Sequence, residues 1–309
     1  MNYTLHQLQI FLKVCETGSI TKSSEELFLT QPAVSIQLKK FQEQFELPLT
    51  ELIGRRIYIT EFGKELEKVA KRILAEAENI NQTANAFKGL LVGSLSLSIV
   101  STAKYIMPYF LNDFVKKYPA IKISIDVTNK SKVVDTIEKN EADFALVSIL
   151  PDGLDIEFEE LMQNKLYLVG EGGDNEVSKV LLPKDLVDFP MIFREKGSAT
   201  RKAMEQFLVS NQIVVKNLLE LVSNEAVKQS ICAGLGYSIM PLIGMKDELK
   251  LNKIKIIDVK GLPLVSSWNL IYNRNKSLSP AAKAFLGHIK TNKNEIINKY
   301  FSAIQELEK

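Results

Sequence analysis

The chain has 309 residues, 46% of them hydrophobic and 25% charged, which suits a globular protein of two or three domains with substantial cores. No run of about 18 apolar residues occurs and the N-terminus lacks a secretory pattern, so neither a membrane span nor export is expected, and a reducing cytoplasm is the expected location. The net charge of +2 decides little about partners.

Taken in chain order, residues 4–15 place Leu5, Leu8, Phe11, Leu12 and Cys15 at helical spacing, and Gly18-Ser19 ends that helix and caps the next. A short helix is expected over 20–27. Thr30 before Gln31-Pro32 reads as an N-cap with proline in the first turn, where its missing N–H costs nothing. The helix so opened is expected to run to Phe45 and to bury Val34, Leu38 and Phe41. Residues 54–59 alternate like a short strand pair or wing, and Thr60-Glu61 caps the next helix.

Residues 61–88 read as one long helix. Leu66, Ala70, Ile73, Ala77, Ile80, Ala84 and Phe87 form a narrow heptad seam that suits a partner helix. The alternative is an amphipathic helix lying on its own domain. Beyond residue 91 strands and helices alternate: strands at 95–100, 121–127 and 144–147, then 166–169, 191–193, 218–222, 237–239 and 267–272. Helices are expected at 106–117, 131–139, from 200, and at 279–290. This alternation predicts parallel sheets covered by helices.

Helix, tight turn, short helix, capped helix and basic wing form the order of a winged helix-turn-helix. Bulk charge does not help this reading, because residues 1–62 hold six basic and seven acidic side chains. The placement of individual residues must carry it. Gln31 can read an adenine edge, Ser35 a phosphate or base edge, and Ile36 a thymine methyl. Thr30 and Pro32 set the helix start, Lys39 suits a phosphate, and Arg55 and Arg56 suit an adjacent minor groove.

Several stretches resemble the LysR family of transcription regulators: Gly18-Ser19-Ile20-Thr21, Thr30-Gln31-Pro32-Ala33-Val34-Ser35, Gly54-Arg55-Arg56, Thr60-Glu61 and Gly63. Ser23-Ser24 stands where members usually read Ala-Ala, and Thr50 where they read Phe. The resemblance continues through Ser101–Tyr105, Glu141–Asp143, Arg194–Arg201, Ser223–Ala226 and Ala233–Gly236, nearest to regulators of carbon-fixation operons. It implies an α/β chain: a winged helix-turn-helix at 1–60, a dimerising linker helix at 61–88 and an effector-binding domain at 89–309. That domain would hold two Rossmann-like subdomains of periplasmic-binding-protein type, about 89–161 with 268–309, and about 162–267.

Hydroxyls at strand ends and a helix start are the natural anion holders in such a sheet. The candidate effector residues are therefore Ser101, Thr102, Asn129, Ser148, Ser198 and Thr200, with Lys104, Arg194 and Arg201 adding charge. Ala199 stands where the family usually has glycine. The expected partners are double-stranded DNA carrying an interrupted inverted repeat, a small anionic metabolite, and a second or further copy of the chain, with RNA polymerase as a further candidate.

An enzyme is the first rival reading. His6 and His288 lie outside the proposed cleft, and no P-loop, dinucleotide motif, metal spacing or cofactor signature is present. Cys15 and Cys232 read as buried thiols without a metal or disulfide role. A transport-type solute-binding protein is the second rival, disfavoured by the helix-turn-helix.

Overall fold

A computed structural model describes residues 2–54, 56–87, 90–173 and 180–302. They fall into two compact units, residues 1–90 and 91–309. Among the described residues, no helix is long and apolar enough to cross a membrane.

The first unit contains α1 (Leu5–Thr17), α2 (Ile20–Glu26), α3 (Gln31–Gln42), the hairpin β1 (Thr50–Ile53) and β2 (Arg56–Ile59), and α4 (Glu61–Phe87). Side-chain caps open the first three helices. Thr4 and Gln7 form a reciprocal capping box, Ser19 accepts from the Lys22 N–H, and Thr30 accepts from the Ala33 N–H. Gly18 ends α1 in the left-handed region, with φ of 62°.

Leu8, Phe11, Val14, Val34, Leu38, Phe41 and Leu49 form the core of this unit. The Phe41 ring lies 5.4 Å from Phe11 and 5.3 Å from Phe45. Helix α3 stops at Gln42, short of the expected end, but Phe45 stays in the aromatic cluster through the turn after it. The serines in place of Ala-Ala are satisfied: Ser23 Oγ lies 2.7 Å from Thr17 Oγ1, and Ser24 Oγ donates to the Thr21 carbonyl at 2.7 Å. Thr50 donates to Gln42 Oε1. Burial pushes the Cys15 thiol up to about 12, the mark of a packing residue.

The long helix divides its seam. Leu66, Ala70 and Ile73 pack on the core of their own unit, as the alternative reading had it, whereas Ile80 is 70% exposed. Phe87 lies where side chains are not described. Close approach explains Gly63 in the first turn of α4. A Cβ there would meet the Leu49 carbonyl oxygen at 2.2 Å. That oxygen is held, because it accepts from the Thr60 N–H while the Thr60 hydroxyl donates to the adjacent Pro48 carbonyl at 2.7 Å. The hairpin is also tied to the α1–α2 turn, where the Ile57 N–H donates to the Gly18 carbonyl.

The second unit runs β3 (Gly93–Val100), a 3-10 turn (Ser101–Tyr105), α5 (Met107–Lys117), β4 (Ile121–Thr128), α6 (Lys130–Glu138), β5 (Phe144–Val147) and β6 (Ile156–Glu171). It continues through β7 (Pro190–Arg194), α7 (Ala199–Ser210), β8 (Lys216–Leu221), α8 (Asn224–Cys232), β9 (Ser238–Pro241), α9 (Lys246–Lys250), β10 (Ile254–Ile257), β11 (Leu264–Asn273) and α10 (Pro280–Tyr300).

The sheet is mixed, not parallel throughout. Its order is β10-β6-β11-β5-β3-β4, with β9 also on β6, and only β3–β4 and β3–β5 pair in parallel within it. Two long strands cause this. β6 and β11 pair antiparallel from Leu264 opposite Leu166 to Asn273 opposite Ile156. Their register shifts once: Trp268 faces Met162 and Asn269 faces Glu160, which leaves Leu161 as the bulged residue. The buried Trp268, Phe110, Phe114, Phe144 and Phe285 pack a first lobe at one end. Leu168, Met191, Met204, Phe207 and Ile239 pack a second lobe at the other, with Ile192, Val227 and Ile231 in a neighbouring cluster. β7 and β8 pair in parallel within that second lobe.

Candidate functional site

The helix start at Thr30 exposes one face of α3. Val34, Leu38 and Phe41 point inward, so Gln31, Ser35, Ile36 and Lys39 remain exposed. Gln31 is tethered, its Nε2 donating to Thr21 Oγ1 on α2. Lys39 stands 3.9 Å from Glu43, an exposed pair that leaves its ammonium accessible. Arg56 is exposed at the start of β2; Arg55 lies outside the described residues. The geometry thus offers short polar side chains at a helix N-terminus beside a two-stranded wing, an arrangement that fits a major groove with its flanking backbone.

In the second unit a cavity of about 430 Å3 opens between one face of α7, from Ala199 at its start to Asn211 at its end, and the crossing strands. Thr102, Ser148 and Thr200 line it, as do Asn164, Gln206 and Ser266, with Leu166, Phe207, Pro241 and Leu264 as apolar walls. Among the described residues, those that line it include no charged side chain. Asn164 Nδ2 donates to Ser266 Oγ at 3.0 Å, a pair 102 residues apart brought together by the β6–β11 register. The α7 helix is capped by Ser198, whose Oγ accepts from the Arg201 N–H; Ala199 and Thr200 then border the cavity with the positive end of the helix.

The other sequence candidates have different partners. Arg194 is 4% exposed, and its Nε and Nη2 donate to the two oxygens of Glu195 at 2.8 and 3.0 Å. Its charge is therefore neutralised locally, and the same Nη2 also donates to Ser101 Oγ at 3.1 Å. Arg201 is held by Glu205 and Glu220, which raise its pKa, and it donates to the Arg194 carbonyl. Lys104 lies over the Tyr105 ring, 4.9 Å from its centroid. Asn129 caps α6 by accepting from the Lys132 N–H. Ser198 and Arg201 border a second depression of about 650 Å3, where Lys130, Lys196 and Lys202 mix with Asp135, Asp152 and Glu205. Burial and the nearby Lys202 lower the Lys130 pKa there.

Sequence reasoning missed Asn164, Gln206 and Ser266. Gln206 carried a signal, lying two turns beyond Ser198 on an expected helix. Asn164 and Ser266 carried none, since only the strand register brings them to the cavity.

Comparison with known proteins identifies both modules. Residues 5–64 match the model of the bacterial regulatory helix-turn-helix of the lysR family, and residues 88–293 match the LysR substrate binding domain. The transcriptional activator CmpR of Synechocystis sp. is 36% identical over 93% of this chain and 95% of its own length. A RuBisCO operon transcriptional regulator of Acidithiobacillus ferrooxidans is 35% identical, over 93% of each chain. Among solved structures, the regulatory domain of Synechocystis PCC6803 CcmR in complex with 2-PG is 31% identical, with a TM-score of 0.62 over 65% of this chain and 97% of that one. The LysR family regulator CbnR, solved with its target DNA, shares the fold at 20% identity and a TM-score of 0.68, covering 93% of this chain and 99% of its own. With residues 5–64 matching the DNA-binding module and residues 88–293 the substrate-binding module, the chain belongs to the LysR family of DNA-binding transcription regulators.

Proposed function

We propose that the cavity binds a small anion of the 2-phosphoglycolate class, and that its occupancy changes how a homodimer or homotetramer engages an interrupted inverted repeat. The observation that carries this reading is the N-terminus of α7 beside the hydroxyls of Thr102 and Thr200 in one cavity. Free N–H groups at a helix start and its dipole favour an anion without any cationic side chain. The 2-PG carried by the CcmR regulatory domain, a 31% identical relative, supports the choice of ligand class.

On the DNA side, Gln31, Ser35 and Ile36 read base edges, Thr30 and Pro32 set the helix start, and Lys39, Arg55 and Arg56 meet the backbone or the minor groove. The exposed Ile80 with Ala77 and Ala84 pairs two α4 helices, which gives the twofold symmetry that an inverted repeat requires. The same reading places the protein in the cytoplasm with its DNA, and RNA polymerase is the partner that an activator of the CmpR kind would meet.

Calorimetry on the full chain tests the site. 2-Phosphoglycolate should bind, and Thr102→Val and Thr200→Val should each lose about 1–3 kcal/mol, the range for an unmatched buried polar contact. DNA affinity without effector should stay the same. Binding of a neutral metabolite in preference, with both variants equal to the parent protein, refutes the reading.

A further inference from the structure

The 3-10 turn after β3 makes three connections to the second lobe within five residues. Ser101 Oγ accepts from Arg194, Thr102 lines the cavity, and the Tyr105 hydroxyl donates to Glu225 Oε2 at 2.8 Å. Glu225 sits in the first turn of α8. The Tyr105 ring also fills the space above Gly244, where an added Cβ would stand 2.6 Å from it. Tyr105 therefore packs on the first-lobe core and reaches across to α8 through its hydroxyl, and it is not among the residues that line the cavity.

Its acceptor is held from the far side. Gln229 Nε2 donates to Glu225 Oε1 at 3.0 Å. Lys228 lies 3.1 Å from Glu225 and 2.6 Å from Glu248, and is itself 8% exposed. These contacts tie the carboxylate to α8, away from the tyrosine, if the lobes separate. Separation would instead break a charge-assisted hydrogen bond, which is stronger than a neutral one.

We propose that Tyr105 and Glu225 form a clasp that presets the closure of the two lobes, and that they act as positioning residues for effector recognition. The proposal rests on the reading of the cavity as the effector site. The turn transmits the effect: it carries Tyr105 at one end and Thr102 near the other, so the clasp fixes where the Thr102 hydroxyl stands relative to α7. A ligand that bridges the lobes then binds a state already populated. Without the clasp, its apparent affinity falls in proportion to the fraction of molecules that remain closed.

The test compares the full chain with Tyr105→Phe, which removes only the hydroxyl, and with Glu225→Gln, which keeps a neutral acceptor. Hydrogen exchange is measured first without effector. Tyr105→Phe should raise exchange over residues 101–105 and at the start of α8, while leaving α1–α3 as they were. 2-Phosphoglycolate should then bind Tyr105→Phe about tenfold more weakly, with Glu225→Gln between it and the parent. The double variant should be no weaker than the worse single one, because both remove one contact.

Unchanged exchange in the turn overturns the clasp, as does raised exchange with unchanged affinity. If the parent protein fails to bind 2-phosphoglycolate, the effector reading fails instead, and the exchange comparison alone decides whether the lobes are clasped.

Discussion

Replacing Gly63 by alanine tests the geometry of the DNA-binding unit at one atom. The new Cβ would stand 2.2 Å from the Leu49 carbonyl oxygen, 2.8 Å from Ile59 Cγ2 and 3.1 Å from the Leu49 carbonyl carbon. The isoleucine methyl can turn away, but the carbonyl is held, because the Thr60 N–H donates to it and the Thr60 hydroxyl donates to the adjacent Pro48 carbonyl. Thr60 Oγ1 also accepts from the Gly63 N–H at 2.9 Å, so the helix start is fixed as well. Relief requires a relative movement of about 1 Å, which belongs at the upper end of overpacking costs, about 3 kcal/mol. Alanine returns at most about 1 kcal/mol through helix propensity, for a net loss of about 2 kcal/mol. For a unit of this size that is a fall of about 8–16 °C in its melting temperature. Scanning calorimetry of the full chain should show the loss in the DNA-binding unit alone, with effector affinity retained. An unchanged or raised transition would refute the contact, and with it the packing of the wing loop against α4.

Gln31→Ala should cost about 1–3 kcal/mol on a specific site and relax preference at one base pair; equal losses on random DNA in a competition assay would remove Gln31 from the base-reading set. Ile80→Asp should lower the sedimentation coefficient and cost only the stability that association adds, since Ile80 is exposed within its own unit, whereas Ile73→Asp should unfold that unit. The clasp sets a pH profile. Gln229, with help from Tyr105 and Lys228, holds Glu225 down at about 2 against the opposing effect of burial, so its contribution is complete above pH 4.5 and disappears as pH falls toward 2. Burial, then the bond to Glu225, raises Tyr105 to about 12, so its contribution is complete below pH 10 and is lost between 10 and 12. Melting temperature against pH should show both limbs in the parent, and Tyr105→Phe should remove the alkaline one.

Local chemistry was the legible part of this chain. Thr30-Gln31-Pro32 names a helix start because a cap and a first-turn proline act within four residues, and the structure places α3 there. Gly63 was visible as part of a resemblance, but its reason, a carbonyl 14 residues earlier, was not. The arginines were misleading for a related cause. Arg194 looks like free charge in a string of letters, yet its neighbour Glu195 chelates it, and Arg201 meets Glu220 only because β8 runs alongside. The strand expected at 166–169 proved to be the later part of a 16-residue element. Its first half carries polar and charged residues such as Glu157, Glu159 and Glu160, which no apolar run would reveal. Asn164 and Ser266 were missed through that omission, since a register must be known before residues on two strands can be matched.

The junction of wing and helices has a consequence for how an operator is measured. The hairpin is bonded to the α1–α2 turn through Ile57 and Gly18, and to the base of α4 through Leu49, Thr60 and Gly63. The wing is thus tied to α1, α2 and α4, and moves with them as one gauge when the unit engages a stretch of duplex. In the proposed dimer, differences in spacing between two half-sites would then not be absorbed inside such a gauge. They must be taken up by the DNA, through its bending and twist, or by the way one gauge is joined to the next.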